Sequence, residues 1–109
     1  MNNRYVRGKR GRTASDWRWR KLSQSIRREV KFCEVPRCPD TDLTVDHIIP
    51  IDEAPDLIYA RENLRVMCRT HNGQRQDKCT DAEREQVQAR IRARRQRALH
   101  YYQSQEMNC

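Results

Sequence analysis

Apolar residues near the start of the chain recur at helical spacing. A capping residue, Ser15 or Asp16, precedes a helix that is predicted to begin near Trp17. We expect both tryptophans of this segment to pack in the core rather than to stack on bases. The apolar side chains fall on one face of the helix and form a stripe of four residues, Trp19, Leu22, Ile26 and Val30.

The pattern changes between residues 32 and 79, where short apolar runs are separated by prolines and one glycine. Such punctuation is typical of turns and brief strands. One strand is predicted at residues 43–49 and a second at residues 64–67. A short helix is predicted to begin at about residues 69–71.

A long helix is predicted from Thr80 to about residue 103. Thr80 and Glu83 form a capping box, in which each side chain accepts a hydrogen bond from the backbone amide of the other residue. The apolar stripe of this helix is thin, and its distal half is rich in arginine. The stripe consists of Val87, Ile91, Ala98 and Tyr102. Together these elements indicate a small α+β fold with a helix at each end.

The composition limits the size of the core. The chain has 109 residues, of which 36% are hydrophobic and 35% are charged. A single domain with so few large apolar residues is expected to need a further constraint, such as a metal site. Because the formal net charge is +8, we expect a polyanionic partner, double-stranded DNA before an anionic membrane. Without a span of ~20 apolar residues or a secretory signal, the chain is predicted to be cytoplasmic and to have no membrane partner.

The domain organisation follows from the charge pattern. Residues 1–14 contain no acidic residue and are predicted to be a flexible basic arm that binds the DNA backbone. Residues 15–79 are predicted to form the core together with the N-terminal helix, and residues 80–109 a C-terminal basic helix and tail. The basic residues of the arm are Arg4, Arg7, Lys9, Arg10 and Arg12.

The spacing of cysteine and histidine residues predicts a structural zinc site. Cys33 and Cys38 lie on a tight turn that contains proline, and Cys68 and His71 form a second close pair some thirty residues later. Two local pairs of this kind can surround one tetrahedral zinc ion and close the chain between them. In the alternative, Cys79 is the fourth ligand and His71 is released. Cys79 and Cys109 fit no other pattern.

Further polar residues lie between and beside these pairs. Residues 45–50 are Val-Asp-His-Ile-Ile-Pro, residues 62–64 are Glu-Asn-Leu, and residues 68–72 are Cys-Arg-Thr-His-Asn. In this order and spacing, residues 33–75 resemble the HNH endonuclease family, in the zinc-containing form that is common in phages. The resemblance implies a ββα-metal core stapled by structural zinc, with a second, catalytic divalent ion.

The resemblance also implies the roles of individual residues. His47 would be the general base that deprotonates the attacking water, and Asp46 would be a ligand of the catalytic ion. Asn63 would position the loop and His47, or ligate the metal as in some family members. Asn72 stands where the family usually has its last histidine, and an amide oxygen in that place suits magnesium or manganese. The alternative is that His71 fills this place and zinc loses a ligand.

The residue types support the same chemistry. Neighbouring side chains of a strand point to opposite faces, so that Asp46 can hold a metal while His47 holds a water. Neutral imidazole suits the base, since the unperturbed pKa of histidine is about 6.5. Arg75 matches a position where the family often has a basic residue, and it is expected to contact phosphate.

The sequence therefore predicts a metal-dependent DNA endonuclease that nicks or cuts duplex with little sequence preference. Its cofactors would be structural zinc and a catalytic ion, which is magnesium, manganese or another divalent ion. The alternative is a non-catalytic, zinc-dependent DNA-binding module, or an accessory of phage packaging that meets a terminase or another packaging protein. A phage-encoded chain would act in the cytoplasm of the host.

Overall fold

The computed structural model describes the backbone of residues 12–107 and the side chains of residues 17–106. Most of the predicted basic arm, with Arg4, Arg7, Lys9 and Arg10, lies outside the described residues, as does Cys109. The predicted small α+β fold is confirmed by a two-stranded sheet and three helices in the described part of the chain. The elements are α1 (Arg12–Glu29), β1 (Leu43–His47), β2 (Leu64–Cys68), α2 (Arg69–Arg75) and α3 (Asp81–Met107).

Helix α1 begins earlier than predicted. Its first residue is Arg12, so that Ser15 and Asp16 lie within the helix and do not cap it. Residues 12–14, which were predicted to belong to the arm, are therefore helical, and the side chain of Arg12 is outside the described set. The predicted apolar stripe is confirmed, because Ile26 is buried and its three partners pack around it. Trp17 lies off this stripe and is 57% exposed, which corrects the expectation that both tryptophans belong to the core.

Strands β1 and β2 are antiparallel and pair Val45 with Val66 and His47 with Leu64. Every residue of β2 is buried, because α1 packs against one side of the hairpin and α2 lies at its end. The predicted first strand was two residues too long. It stops at His47 because the next two backbone amides, those of Ile48 and Ile49, donate to Asn63 instead of extending the ladder.

Helix α3 is anchored only through its first half. The predicted capping box is present: the Thr80 amide donates to Glu83 Oε1 at 2.9 Å, and the Glu83 amide donates to Thr80 Oγ1 at 3.1 Å. Val87 and Ile91 are buried against Ile48 and Ile49. The other two residues of the predicted stripe, Ala98 and Tyr102, are exposed because the small sheet offers no surface that far along the helix. Within residues 12–107, none of the helices combines the length and apolar character that a membrane-spanning segment requires.

Candidate metal centre and the adjoining polar site

Four side chains converge where the end of β2 meets the turn that follows α1. The ligand atoms of Cys33, Cys38, Cys68 and His71 all lie within 4.8 Å of one another. The Nδ1 atom of His71 is 3.2 Å from Cys68 Sγ and 3.6 Å from Cys33 Sγ, and the Sγ atoms of Cys38 and Cys68 are 3.8 Å apart. The cluster can hold a metal ion, and three thiols with one imidazole are a donor set that zinc prefers.

Local backbone structure brings these ligands together. Arg37 has a positive φ of 65°, which turns the chain back before Cys38, and the Glu34 amide donates to Val66 O at 2.8 Å. The second pair belongs to one helical turn, because Cys68 is the N-cap of α2 and its sulfur accepts a hydrogen bond from the His71 amide. Both pairs are therefore fixed to β2.

Cys79 does not belong to this centre. It packs against the buried residues Ile48, Ile49, Val87 and Ile91, and its thiol donates to Thr80 O at 3.6 Å. Burial raises the pKa of the Cys79 thiol, and its sulfur is not among the four ligand atoms that lie within 4.8 Å of one another. The alternative in which Cys79 replaces His71 as the fourth ligand is therefore wrong.

The thiol of Cys33 is prepared for ligation. Burial raises the pKa of Cys33, but hydrogen bonds from the backbone at Cys68 and Val35 and from the His71 side chain outweigh this effect. They lower the pKa of Cys33 to about 7. A thiolate is thus accessible near neutral pH, as metal binding requires.

His47 lies at the end of β1 and is buried. Its Nε2 atom is 2.9 Å from the carbonyl oxygen of Ile58, and its ring stacks on Trp19 with centroids 4.6 Å apart. Because a carbonyl oxygen can only accept, Nε2 carries the hydrogen and Nδ1 carries the lone pair. Burial lowers the pKa of His47, although Ile58 and Asp46 oppose the shift, so that the neutral ring predominates at pH 7.

Asp46 is paired with Arg75 of α2. The Arg75 Nη1 atom is 3.0 Å from Asp46 Oδ2, and Nη2 donates to the carbonyl oxygen of Ile48 at 2.7 Å. Burial raises the pKa of Asp46, while the His47 backbone amide and the Arg75 charge oppose this shift. The Arg75 side chain is only 11% exposed, and its guanidinium is directed at protein atoms, not at solvent where a phosphate would lie.

Asn63 is fully buried, and its amide forms two hydrogen bonds with a single residue. Its Oδ1 atom accepts from the Ile49 amide at 2.8 Å, and its Nδ2 atom donates to the Ile49 carbonyl at 3.1 Å. Both the oxygen and the nitrogen of the side-chain amide are therefore hydrogen-bonded to the Ile49 backbone. Asn63 thereby holds the backbone two residues after His47.

Asn72 presents a different kind of oxygen. It lies one turn before Arg75 on α2, which packs against β1. Its Oδ1 atom is buried and has no hydrogen-bond partner among the described residues. Buried polar atoms without a partner are rare, and a cation is one of the groups that can satisfy them. The Asn72 amide oxygen and the Asp46 carboxylate are hard ligands of the type that magnesium and manganese prefer.

Several contacts of this site could not be found from the sequence. Trp19 occupied a place in an apolar stripe, and nothing marked it as the ring that covers His47. The Ile58 carbonyl carries no signal in the side-chain pattern. Arg65 is buried and pairs with Glu34 at 3.0 Å and Glu83 at 2.8 Å, which ties the metal centre to α3.

Comparisons of the chain with protein-family models, with curated proteins and with solved structures give no match in any of the three.

Proposed function

We propose that this protein is a metal-dependent endonuclease that hydrolyses phosphodiester bonds of double-stranded DNA in an HNH-type ββα-metal core. The observation that carries the proposal is the arrangement around the end of β1. There a buried imidazole follows a carboxylate in sequence, and α2, whose Arg75 binds that carboxylate, also carries the Asn72 amide oxygen, which is buried and has no partner among the described residues. The neighbouring cysteine cluster holds structural zinc and fixes that helix to the strands.

His47 acts as the general base. The Ile58 carbonyl holds the Nε2–H tautomer, and in this tautomer Nδ1 is the basic nitrogen that would take a proton from water. Stacking on Trp19 fixes the ring plane and excludes solvent from one face. A base whose pKa is lowered by burial remains unprotonated at neutral pH.

Asp46 and Asn72 would hold the catalytic divalent ion, with Asn72 in the place of the histidine that the family usually has there. When bound, such an ion supplies Lewis-acid stabilisation of the charge that develops on the phosphate and the leaving oxygen. Asp46 and His47 are neighbours in a strand and point to opposite faces, so one side chain would hold the ion while the other would activate water.

The remaining polar residues hold this arrangement in place. Asn63 fastens Ile49 directly after the base, and Arg75 ties the Asp46 carboxylate to the backbone of the same segment. Precise placement of this kind supports catalysis, since small displacements of reacting groups cost large factors in rate.

The test is cleavage of supercoiled plasmid by zinc-loaded protein with magnesium or manganese. We expect nicked or linear product, no product with EDTA, and a loss of ~10²–10⁴ in rate for His47→Ala, the range for removal of a general base. His100→Ala is the matched control, because that histidine is exposed on the distal part of α3. Full cleavage by His47→Ala would overturn the mechanism.

A second candidate function is a zinc-dependent DNA-binding module without cleavage. The observation that favours it is the pairing of Asp46 with Arg75, since a guanidinium already neutralises the carboxylate that an ion would need. The same plasmid assay separates the two functions. A binding module would retard DNA and leave it intact with every divalent ion.

A further inference from the structure

A basic cleft lies between α3 and the turn that precedes β2, away from the cysteine cluster. Its volume is about 360 Å³. One wall is the short 3-10 turn Arg61–Asn63, and the other is the middle of α3. The lining residues are Arg61, Glu62, Arg90, Ala93 and Arg97.

The positive charge of this cleft is not balanced from within. Glu62 is the single carboxylate in the lining, and its Oε2 atom is already bound by the Arg94 guanidinium. Among the described residues, neither Arg90 nor Arg97 forms an ion pair, although the charge of Arg97 helps to lower the pKa of Glu62, the one carboxylate among three lining arginines. The cleft therefore presents arginines whose charge an external anion can meet.

Helix geometry gives the cleft its shape. Arg90, Ala93 and Arg97 are three and four residues apart and share one face of α3. The methyl group of Ala93 leaves open the space between the two arginines, which are about 10 Å apart along the helix axis at 1.5 Å per residue. From the opposite wall, the Nη1 atom of Arg61 donates to Leu64 O at 3.1 Å, and this bond fixes the direction of its guanidinium.

The cleft is connected to the His47 site through one segment of chain. The carbonyl that accepts from His47 belongs to Ile58, three residues before Arg61. Asn63, at the end of the same turn, holds Ile49 directly after the strand that carries His47. An anion bound in the cleft thus rests on the segment that orients the base.

We propose that this cleft binds the phosphodiester backbone of DNA and carries the strand that leads to His47. The inference rests on the proposed function and adds the surface that holds the substrate. Guanidinium groups suit this partner because they donate paired hydrogen bonds to phosphate oxygens. The contacts are to the backbone, so the cleft contributes affinity without sequence preference.

The experiment measures binding of a fluorescent 20-base-pair duplex to zinc-loaded His47→Ala protein between 50 and 200 mM salt. The test variant adds Arg90→Gln and Arg97→Gln. The matched control adds Arg28→Gln and Arg95→Gln, two exposed arginines outside the cleft that, like Arg90 and Arg97, form no ion pair among the described residues. The slope of log K against log salt is negative, and each lost phosphate contact makes it shallower by about 0.9. The slope of the test variant should therefore be shallower by about 1.8, and that of the control should change much less.

Each result decides between the possibilities. Equal losses of slope in the two double variants would show that only the overall charge matters, and would refute the proposal that DNA binds in the cleft. If the zinc-loaded His47→Ala protein without further substitutions bound no duplex, both the proposal of DNA binding in the cleft and the nuclease proposal would be refuted. A loss of slope confined to the test variant would support DNA binding in the cleft. If the protein with His47 intact also never cleaved plasmid, the cleft would stand and the nuclease proposal would be refuted. Circular dichroism and zinc content establish that the variants are folded.

Discussion

At the scale of the residue, the site depends on side chains that bind backbone. Asn63 is the clearest case, because both ends of its amide are used on Ile49. For Asn63 the resemblance implied either positioning of the loop and His47 or ligation of the metal. The sequence could not show the partner, because the Ile49 backbone meets Asn63 only when the thirteen intervening residues fold.

We expect Asn63→Ala to lower the free energy of unfolding by about 2–4 kcal/mol, because a buried amide and a buried carbonyl of Ile49 lose their partners together. Urea denaturation of zinc-loaded protein measures this loss. Gln86→Ala, at an exposed helix position, is the control and should change stability by less than about 0.5 kcal/mol. A comparable change in both variants would contradict the role assigned to Asn63.

At the scale of the element, the sequence predicted the helical patterns better than it predicted where the first strand ends. The capping box at Thr80 and the apolar stripe of α1 are local patterns, and both were confirmed. The end of β1 depends on Asn63, and the exposure of Ala98 and Tyr102 depends on how far the sheet reaches. The start of α1 was misplaced because polar residues can continue a helix as well as cap it.

The capping box makes a graded prediction for α3. Thr80→Ala removes one cap and should lower stability by about 1 kcal/mol. Glu83→Ala removes the reciprocal bond and also one carboxylate from buried Arg65, so the loss should be larger, about 2–3 kcal/mol. Chemical denaturation with zinc present measures both values. Equal losses would mean that the contact between Glu83 and Arg65 adds nothing.

At the scale of the whole molecule, the core consists of small clusters, and one of them contains the metal ligands Cys33 and Cys68. The spacing of cysteines and histidine predicted which four side chains lie together, because each pair is local in sequence, and the zinc ion itself stays a prediction. For the surroundings of His47, the sequence indicated which residue types take part but not which contacts they make. The burial of His47, its tautomer and the pairing of Arg75 with Asp46 arise from contacts between distant segments.

Removal of zinc should therefore unfold the domain. We expect a chelator that extracts the ion to abolish the cooperative unfolding transition, because metal binding and folding are coupled when the remaining core is small. Cys68→Ser should behave like the chelated protein. Cys79→Ser should keep both its zinc and its transition, since Cys79 lies outside the cluster. An intact transition in protein shown to be metal-free would exclude a structural role for the ion.

The distribution of the ligands has a further consequence for the continuity of the chain. Two of the candidate ligands precede β1, one is the last residue of β2 and one follows it, while the long connection between the strands contributes none. A backbone cut near Asp52 would therefore give two polypeptides that each retain half of the coordination sphere and one strand. Zinc would then hold the two fragments of a split protein together. Separately produced fragments would associate when the ion is added and dissociate when it is removed.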